Sequence, residues 1–301
     1  MKRLAVCTFI LCLMASANSY AMDFIVGAKS GYFVWEPYFK ELKGGGIGDV
    51  ERGSGILYGP VISVIFTPDI TFSTAGLFGK QSTHWFSPNT ATTWENQPGT
   101  VLDVSGNYTV DIERIDIDNA LSYRVSRSFK IFAGYKYQRN LMTLVYMERR
   151  YPITGSNEHV LYESKTKLAL PAHGPALGIG HSLPLGSLFF TSTNLSIVYM
   201  WSKFELKDSE MRKYDVDIYG DLDYANSTLD KQSGITFDSR QAGLNLEPSL
   251  GAIVGDTGVV FNISARIQYM KIKFLDAWEA APDGWMTDLF YGMYVSILYA
   301  F

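Results

Sequence analysis

The chain has 301 residues, with 26 Lys and Arg against 30 Asp and Glu, two Cys, and 47% hydrophobic residues, including 19 Tyr and 18 Phe. A mean hydropathy of +0.02 is too polar for a bundle of membrane helices, and the high aromatic content excludes a disordered chain. The slightly acidic balance, without a cluster of Lys and Arg, argues against a nucleic-acid partner.

The first 21 residues have the pattern of a secretory signal peptide. Lys2 and Arg3 precede an apolar run over 4–14, and a small-x-small cleavage pattern ends at Ala21. The apolar run is shorter than the roughly 20 residues that a membrane helix needs. We therefore predict a signal peptide over 1–21 and one domain over 22–301.

Cysteine chemistry is excluded from the predicted mature chain. Both cysteines, Cys7 and Cys12, fall in the predicted signal peptide. Residues 22–301 can therefore form neither a disulfide nor a thiolate metal site.

Apolar and polar residues alternate with a period of two through the mature chain, which is typical of β-strands with two different faces. In the last segment, one face carries Tyr291, Met293, Val295, Ile297, Tyr299 and Phe301. The pattern predicts an all-β chain of about ten strands, with ends placed to within ~3 residues. The predicted strands are 23–34, 55–66, 70–80, 108–124, 129–148, 168–182, 188–206, 235–254, 259–275 and 286–301.

Short and long connections alternate between these strands. The short turns are 67–69, 125–128, 183–186 and 255–258, and the long connections are about 35–54, 81–107, 149–167, 207–234 and 276–285. Short turns at one end and long loops at the other are typical of an antiparallel transmembrane β-barrel. An even strand number also lets the barrel close with both termini at the short-turn end. Eight or twelve strands are the alternatives if the third or sixth strand is miscounted.

Aromatic residues near the strand ends give a second indication, because Trp and Tyr prefer the membrane interface. The aromatic residues near the long-loop ends are Trp35, Trp201 and Trp285, and those near the short-turn ends are Phe66, Tyr123, Phe129, Tyr299 and Phe301. A soluble sandwich with an aromatic core is the alternative. Against the strand prediction, Pro60, Pro175 and Pro248 fall inside predicted strands, where each lacks an N–H for the ladder.

The last strand resembles the C-terminal strand of bacterial outer-membrane β-barrel proteins. The matching positions are Phe301, Tyr299, Ile297 and Val295, with Gly292 further in. The resemblance implies secretion to the periplasm, insertion into the outer membrane, short periplasmic turns and long extracellular loops. It implies outer-membrane lipid as a partner, and recognition of this strand by the barrel-insertion machinery.

Ten long strands with tall outer loops also look like the omptin family, whose members are surface proteases with an aspartate pair facing a His-Asp dyad. This sequence departs from that pattern. The segment 82–86 has no carboxylate, and 207–223 has Asp208, Asp215 and Asp217 but no histidine. Activation of water needs a group that cycles its proton near neutral pH, and histidine is the usual choice.

Other catalytic and metal-binding patterns are weak, and no cofactor is expected. The histidines His84, His159, His173 and His181 lack metal-site spacing, and no Gly-x-Ser-x-Gly occurs. A cluster of four carboxylates around Gly220 is a weak calcium candidate because calcium prefers hard oxygen ligands. Its members are Asp215, Asp217, Asp221 and Asp223. A solvated hairpin turning at Tyr219 is the alternative.

The predicted inner face is charged. A polar network in the lumen is predicted from Arg114, Asp116, Asp118, Lys130, Lys136, Gln138, Glu247, Arg266 and Gln268. A ten-stranded barrel is near the narrow end of the barrel size range, where side chains fill the lumen. The small inward residues of 174–182 leave room, so the lumen is expected to be plugged or to pass only small solutes.

The sequence thus predicts a non-enzymatic outer-membrane barrel whose surface loops meet an extracellular ligand. A surface hydrolase of omptin-like shape with a different active site is the alternative function. A passive small-solute channel is a third interpretation, and it requires an unplugged lumen.

Overall fold

The protein is described here by a computed structural model covering residues 23–38, 52–93, 101–152, 159–216, 222–232, 234–275 and 284–301. The predicted signal peptide therefore lies outside the described residues. In the part of the chain that is described, no helix is long and apolar enough to cross a membrane. The strands are β1 (Asp23–Glu36), β2 (Gly53–Thr67), β3 (Ile70–Thr93), β4 (Val101–Arg124), β5 (Phe129–Pro152), β6 (His159–Leu185), β7 (Phe189–Val216), β8 (Leu222–Gln232), β9 (Ile235–Ile253), β10 (Val259–Phe274) and β11 (Met286–Ala300).

The strands form one closed antiparallel barrel. Consecutive strands pair from β1 to β7, and then β7 pairs with β9, β9 with β10, and β10 with β11. The barrel closes where β11 pairs with β1, from Ile25 opposite Ala300 to Glu36 opposite Leu289. These ten strands make the wall, which confirms the predicted fold class and strand number.

The short strand β8 extends the eighth wall strand outward. It pairs with the outer part of β7, up to Val216 opposite Leu222, while β9 pairs with the inner part of β7. Between β8 and β9, Gly234 has a φ of +81°, a conformation that glycine adopts without strain, and its N–H donates to Leu206 O at 3.0 Å. This glycine interrupts one long strand and divides it into β8 and β9.

The connections at the two ends of the barrel differ as predicted. Short turns join β2 to β3, β4 to β5, β6 to β7, and β9 to β10, and both chain ends of the barrel lie at that same end. We call this the short-turn end and the opposite one the long-loop end. At the long-loop end, three predicted loops are mostly strand, because β3, β4, β5, β6 and β7 each run for 24 residues or more. A tilted strand crosses a bilayer with about 10 residues, so these hairpins continue well beyond it.

Side chains alternate between the barrel exterior and its interior. Exterior apolar side chains are exposed on β7 and β11, for example Ile197 (65%), Met293 (62%) and Val295 (54%). Interior positions on the same strands, such as Ser196 and Ser296, are buried. An apolar exterior around an interior that carries many buried polar side chains is unlike a soluble β-sandwich and matches a membrane barrel.

The sheet accommodates the three prolines because each proline is paired with a residue of only one of its two neighbouring strands. Pro60 pairs with Ala28 and Pro175 with Tyr135, but the ladder to the strand on the other side skips both prolines. Pro248 likewise pairs with β7, at Thr193, and is skipped by the ladder to β10. The missing N–H therefore faces a local irregularity rather than breaking the sheet.

One aromatic expectation changes in the structure. Trp35 was expected among the aromatic residues of the membrane interface, but its side chain points into the barrel and is fully buried. Other aromatic residues that were predicted at the membrane interface, such as Trp201 (49% exposed) and Tyr299 (43% exposed), do face outward. Alternation along β1 puts Trp35 on the same inner face as Phe33, since the two residues are separated by one position.

The closure of the barrel can be tested by cross-linking across β1 and β11. Ser30 lies opposite Val295 and both face outward, so a short bifunctional thiol reagent should join Ser30→Cys to Val295→Cys. Residues 22–301 contain no cysteine, so no other thiol competes. The cross-link makes the chain almost circular, and the denatured product should migrate faster on a gel.

The matched control pairs Ser30→Cys with Leu121→Cys, which also faces outward. Leu121 lies three strands away on β4, roughly 14 Å or more across the sheet, so no cross-link is expected. Absence of the first cross-link in folded protein, or equal yields in both pairs, would contradict the closed barrel.

Candidate functional site in the barrel interior

A layer of charged and amide side chains crosses the middle of the barrel interior. We call it the polar layer. All of its members come from inward-facing positions of β4, β5 and β10, and nearly all are fully buried. They are Arg114, Asp116, Asp118, Lys136, Gln138, Arg266 and Gln268.

Within the polar layer, neighbouring strands contribute opposite charges. Arg114 Nη2 donates to Asp116 Oδ2 at 3.2 Å on the same strand. Lys136 on β5 donates to both Asp116 and Asp118, at 2.8 Å for Asp118 Oδ1. The spacing of two residues along β4 puts all three charges on one face, where Lys136 lies opposite Asp118 in the sheet register.

Other contacts of the polar layer run across the lumen. Arg266 on β10 is five wall strands from Asp118 on β4, which places the two strands on opposite sides of a ten-stranded ring. Their side chains nevertheless form an ion pair of 2.9 Å, and Arg266 also lies 3.7 Å from Asp116. Gln268 Nε2 donates to Gln138 Oε1 at 2.9 Å, joining β10 to β5. The polar layer therefore fills the lumen from wall to wall.

On the long-loop side of the polar layer, the interior is filled by apolar side chains, which we call the apolar plug. Phe33 stacks on Phe290 with ring centroids 5.0 Å apart and planes 7° apart. The guanidinium of Arg114 lies 3.7 Å from the Phe290 ring centroid, so it connects the apolar plug to the polar layer. The buried residues of the apolar plug are Phe33, Trp35, Tyr38, Leu57, Leu77, Val110, Ile112, Met142, Leu170, Phe204, Ile272, Phe274, Met286 and Phe290.

The indole N–H inside the apolar plug is hydrogen-bonded to a buried carboxylate. Trp35 Nε1 donates to Asp288 Oδ1 at 2.7 Å, and both residues are buried. Beyond the end of β1, burial raises the pKa of the Tyr38 phenol far above its ordinary value, and the Asp288 carboxylate adds to this shift. Tyr38 is therefore un-ionised at any physiological pH. Sequence reasoning missed the apolar plug, because inward apolar residues near the strand ends break the polar pattern expected for an inner face.

On the short-turn side of the polar layer, the interior opens into a cavity of about 510 Å³, which we call the inner cavity. Its walls include eight serines and four asparagines, namely Ser63, Ser73, Ser122, Ser192, Ser196, Ser249, Ser264, Ser296, Asn119, Asn194, Asn245 and Asn262. Its charged lining residues are Lys29, Lys130, Lys136, Asp118 and Glu247.

The remaining predicted lumen residues, Lys130 and Glu247, lie at the inner cavity. Glu247 Oε1 accepts a hydrogen bond from the Tyr294 hydroxyl at 3.2 Å and lies 3.8 Å from Arg266 Nη1. Lys130 lines the inner cavity without reaching the ion pairs of the polar layer. Lys29 on β1 also lines it and was not anticipated, because it is an isolated charge in an otherwise apolar strand.

The small residues of β6 do not leave a path through the barrel. A Cβ at Gly178 would overlap the Phe132 ring, and one at Gly180 would overlap Lys130 and Asn194. Side chains from the neighbouring strands β5 and β7 thus occupy the space over these glycines. The room predicted from the sequence is used for packing rather than for an open channel.

The predicted assembly-signal residues lie on both faces of the last strand, except Phe301, which directly follows it. Val295, Ile297 and Tyr299 point outward and are 43–54% exposed, while Gly292 is on the inner face, where a Cβ would overlap Phe33. The Phe301 N–H donates to Phe24 O at 2.9 Å, which ties the last residue to β1. Whether this strand is recognised by insertion machinery stays a prediction.

The calcium-binding candidate around Gly220 stays a prediction. Asp217 and Asp221 lie outside the described residues, as do the side chains of Asp215 and Asp223, so the calcium candidate is untested. Over the described ranges, no three His, Cys, Asp or Glu residues are grouped to hold a metal ion.

The histidines whose side chains are described lie on the barrel exterior. His173 faces outward, and its Nδ1 lies 2.6 Å from the Tyr135 hydroxyl, while His181 is exposed near the short-turn end. The side chains of His84 and His159 lie outside the described residues.

The buried ion pairs predict a large cost for removing one partner. Asp116→Asn should lower the free energy of unfolding by about 3–5 kcal/mol, because Arg114, Lys136 and Arg266 would be left around a neutral side chain. Denaturant titration of the folded protein in detergent measures this change.

The matched control is Glu113→Gln, three positions away along β4 and on the barrel exterior. Glu113 pairs with Lys80 at 3.1 Å, but both side chains are more than half exposed. A change under about 1 kcal/mol is expected there. Equal effects of the two substitutions would contradict the role of burial in the polar layer.

Comparison with known proteins returns outer-membrane barrels. No family model and no curated protein matches the chain. Among solved structures, the outer membrane protease OmpT from Escherichia coli is 11% identical, with a TM-score of 0.43, covering 93% of this chain and 96% of that one. The translocator domain of the autotransporter NalP from Neisseria meningitidis is 12% identical, with a TM-score of 0.37, covering 99% and 97%. The outer membrane protein OprG from Pseudomonas aeruginosa is 13% identical, with a TM-score of 0.26, covering 93% and 96%.

At these identities and TM-scores, the similarity says nothing about what this chain binds or catalyses. The fold itself rests on the strand pairing, the exposed apolar exterior and the polar interior described above. The chain is a closed ten-stranded antiparallel β-barrel with the architecture of bacterial outer-membrane barrel proteins.

Proposed function

We propose that this protein is a closed outer-membrane barrel, without enzymatic activity, that carries surface loops for binding an extracellular ligand. The observation that carries the proposal is the filled lumen. The polar layer and the apolar plug lie one above the other, and Arg114, Arg266 and Phe290 within them are at most 1% exposed. Such a barrel cannot pass solutes through its centre.

The exterior supports placement in a membrane. Large apolar side chains are exposed all around the barrel, and in water they would cost roughly 25 cal/mol per Å² of exposed surface. Lipid contact removes that cost. Outer-membrane lipid is therefore the proposed partner of the barrel exterior, and insertion through β11 is proposed because this strand closes the barrel.

The long hairpins support a role at the outer surface. The β3–β4 pairing extends to Thr93 opposite Val101, and the β5–β6 pairing extends to Arg150 opposite Val160. These hairpins continue the barrel wall beyond the membrane and hold the connecting loops away from it. Loops presented by a rigid scaffold are common binding elements.

Among the described residues, the carboxylates around the polar layer are already engaged, which disfavours the hydrolase alternative. Asp116 and Asp118 are both held by Lys136 and Arg266, and Glu247 is held by Tyr294. A carboxylate that already neutralises buried cations is a poor base for activating water. The described interior residues therefore favour the non-enzymatic function.

The proposal predicts electrical silence. Residues 22–301, refolded and inserted in a planar bilayer, should give no discrete current steps, because the polar layer and the apolar plug block the lumen. Insertion is checked by the altered gel mobility of folded barrels. Stable current steps from inserted wild-type protein would replace the proposal with a small-solute channel.

Opening the lumen should create a conductance. Arg266→Ser combined with Phe290→Ala removes one large side chain from the polar layer and one from the apolar plug. We expect discrete current steps from this variant. Ile267→Ser with Met293→Ala alters outward positions of the same strands and should stay silent, so current from both variants would indicate general loosening of the barrel.

A further inference from the structure

The inner cavity contains an uncompensated positive charge. Lys29 is 6% exposed, and its Nζ lies over the ring of Tyr294, 5.4 Å from the centroid. Among the described residues, no carboxylate oxygen lies within 4.0 Å of Nζ of Lys29 or Lys130. Both side chains line the inner cavity. A buried ammonium group is poorly stabilised without a carboxylate beside it, so this arrangement favours the binding of an anion.

The carboxylates of the inner cavity are already engaged elsewhere. Asp118 is bound by Lys136 and Arg266, and Glu247 by Tyr294 and Arg266. Glu247, Asp118 and Asp116 attract Lys29 electrostatically from a longer distance, and Arg266 repels it, but none of the three carboxylates forms an ion pair with Lys29. The cavity lining therefore carries more cationic than anionic charge, with three lysines against two carboxylates.

The rest of the lining indicates what kind of anion would fit. Around the charged part, serine hydroxyls and asparagine amides offer hydrogen-bond donors, for example Ser264 and Ser296. Nearer the short-turn end, the wall on the side of β9, β10, β11 and β1 is apolar, with Ile25, Ile253 and Leu298. A volume of about 510 Å³ is within the range of small-molecule sites.

We propose that the inner cavity binds a small organic anion that enters from the short-turn end. Its negative group would be held by the ammonium groups of Lys29 and Lys130, and its apolar part would lie against the wall formed by Ile25, Ile253 and Leu298. The polar layer closes the far side of the cavity. The site is a dead-end pocket rather than a step in transport across the membrane, and it is independent of the outer loops.

The absence of cysteine from 22–301 allows a direct test of charge in the inner cavity. Ser249→Cys places a single thiol in the cavity wall, and Ser187→Cys places one on an exposed turn at the same end. Each variant, in nanodiscs, is reacted with two thiol reagents of similar size, the anionic sulfonatoethyl and the cationic trimethylammonioethyl methanethiosulfonate. The ratio of the anionic to the cationic rate measures the local potential.

We expect this ratio to be on the order of tenfold higher at Cys-substituted position 249 than at position 187. Adding Lys29→Gln should remove most of the difference, and Lys29→Arg should preserve it. Lys130→Gln serves as a second variant if Lys29→Gln does not fold. Equal ratios at both positions, or a ratio unaffected by both lysine substitutions, would overturn the proposal.

The ligand class is tested by protection of the same thiol. Hexanoate should slow labelling at position 249 more than inorganic phosphate at equal ionic strength, and neither should slow labelling at position 187. Lys29→Gln should abolish the protection by hexanoate. Equal protection by phosphate and hexanoate would overturn the apolar part of the proposal, and no protection by either would overturn the site.

Discussion

The ion pair between Arg266 and Asp118 is the contact on which the interior of this barrel depends. It joins strands on opposite sides of the ring at 2.9 Å, so it requires a lumen narrow enough for two side chains to meet. Ten strands satisfy that requirement, whereas a wide porin-like barrel does not. Once these charges meet, water is excluded from the middle of the barrel, and every other charge near them needs a partner as well. The dense bonding of Asp116 to Arg114 and Lys136 follows from this requirement.

The same contact divides the interior into two different environments. Toward the long-loop end, Arg114 covers the Phe290 ring, and the apolar plug continues the packing from there. Toward the short-turn end, the walls carry small polar side chains that cannot reach one another across the lumen, and a cavity remains. Side-chain size along the inner face therefore decides which half is solid. Large residues such as Trp35 and Phe33 close one half, and serines leave the other half open.

The barrel could be predicted from the sequence because the alternation of apolar and polar residues is periodic along the strands of the wall. Alternation and the sorting of short and long connections fixed ten wall strands, and the predicted β1, β2, β9, β10 and β11 end within a few residues of the observed bounds. The length of the strands in the long hairpins was underestimated, because strand residues beyond the membrane no longer need an apolar outer face. The alternation therefore fades at positions such as 81–93, although the backbone pairing continues.

The interior was predictable only in part. Inward charges such as Arg114, Asp116 and Arg266 can be read from their strand positions, and the structure brings them together. Which of them meet depends on the diameter and register of the ring, which local patterns do not encode. Lys29 shows the limit most clearly, because a single lysine in an apolar strand looks like any tolerated charge until its lack of a carboxylate partner is seen in three dimensions.

The bond across the lumen also has a consequence for how the chain folds. Asp118 and Arg266 are separated by nearly half of the chain. Within its own hairpin Asp118 meets Lys136 and Arg266 approaches Glu247, but the bond between Asp118 and Arg266 needs the two sides of the ring to come together. The bond across the lumen requires the sheet to curl until β1 meets β11, so the interior charges are fully enclosed only when the ring closes. Such long-range contacts slow folding, and ring closure and loss of interior water become a single event. A partly curled sheet would be open along one edge and charged along its concave side, which disfavours its release into the lipid before closure.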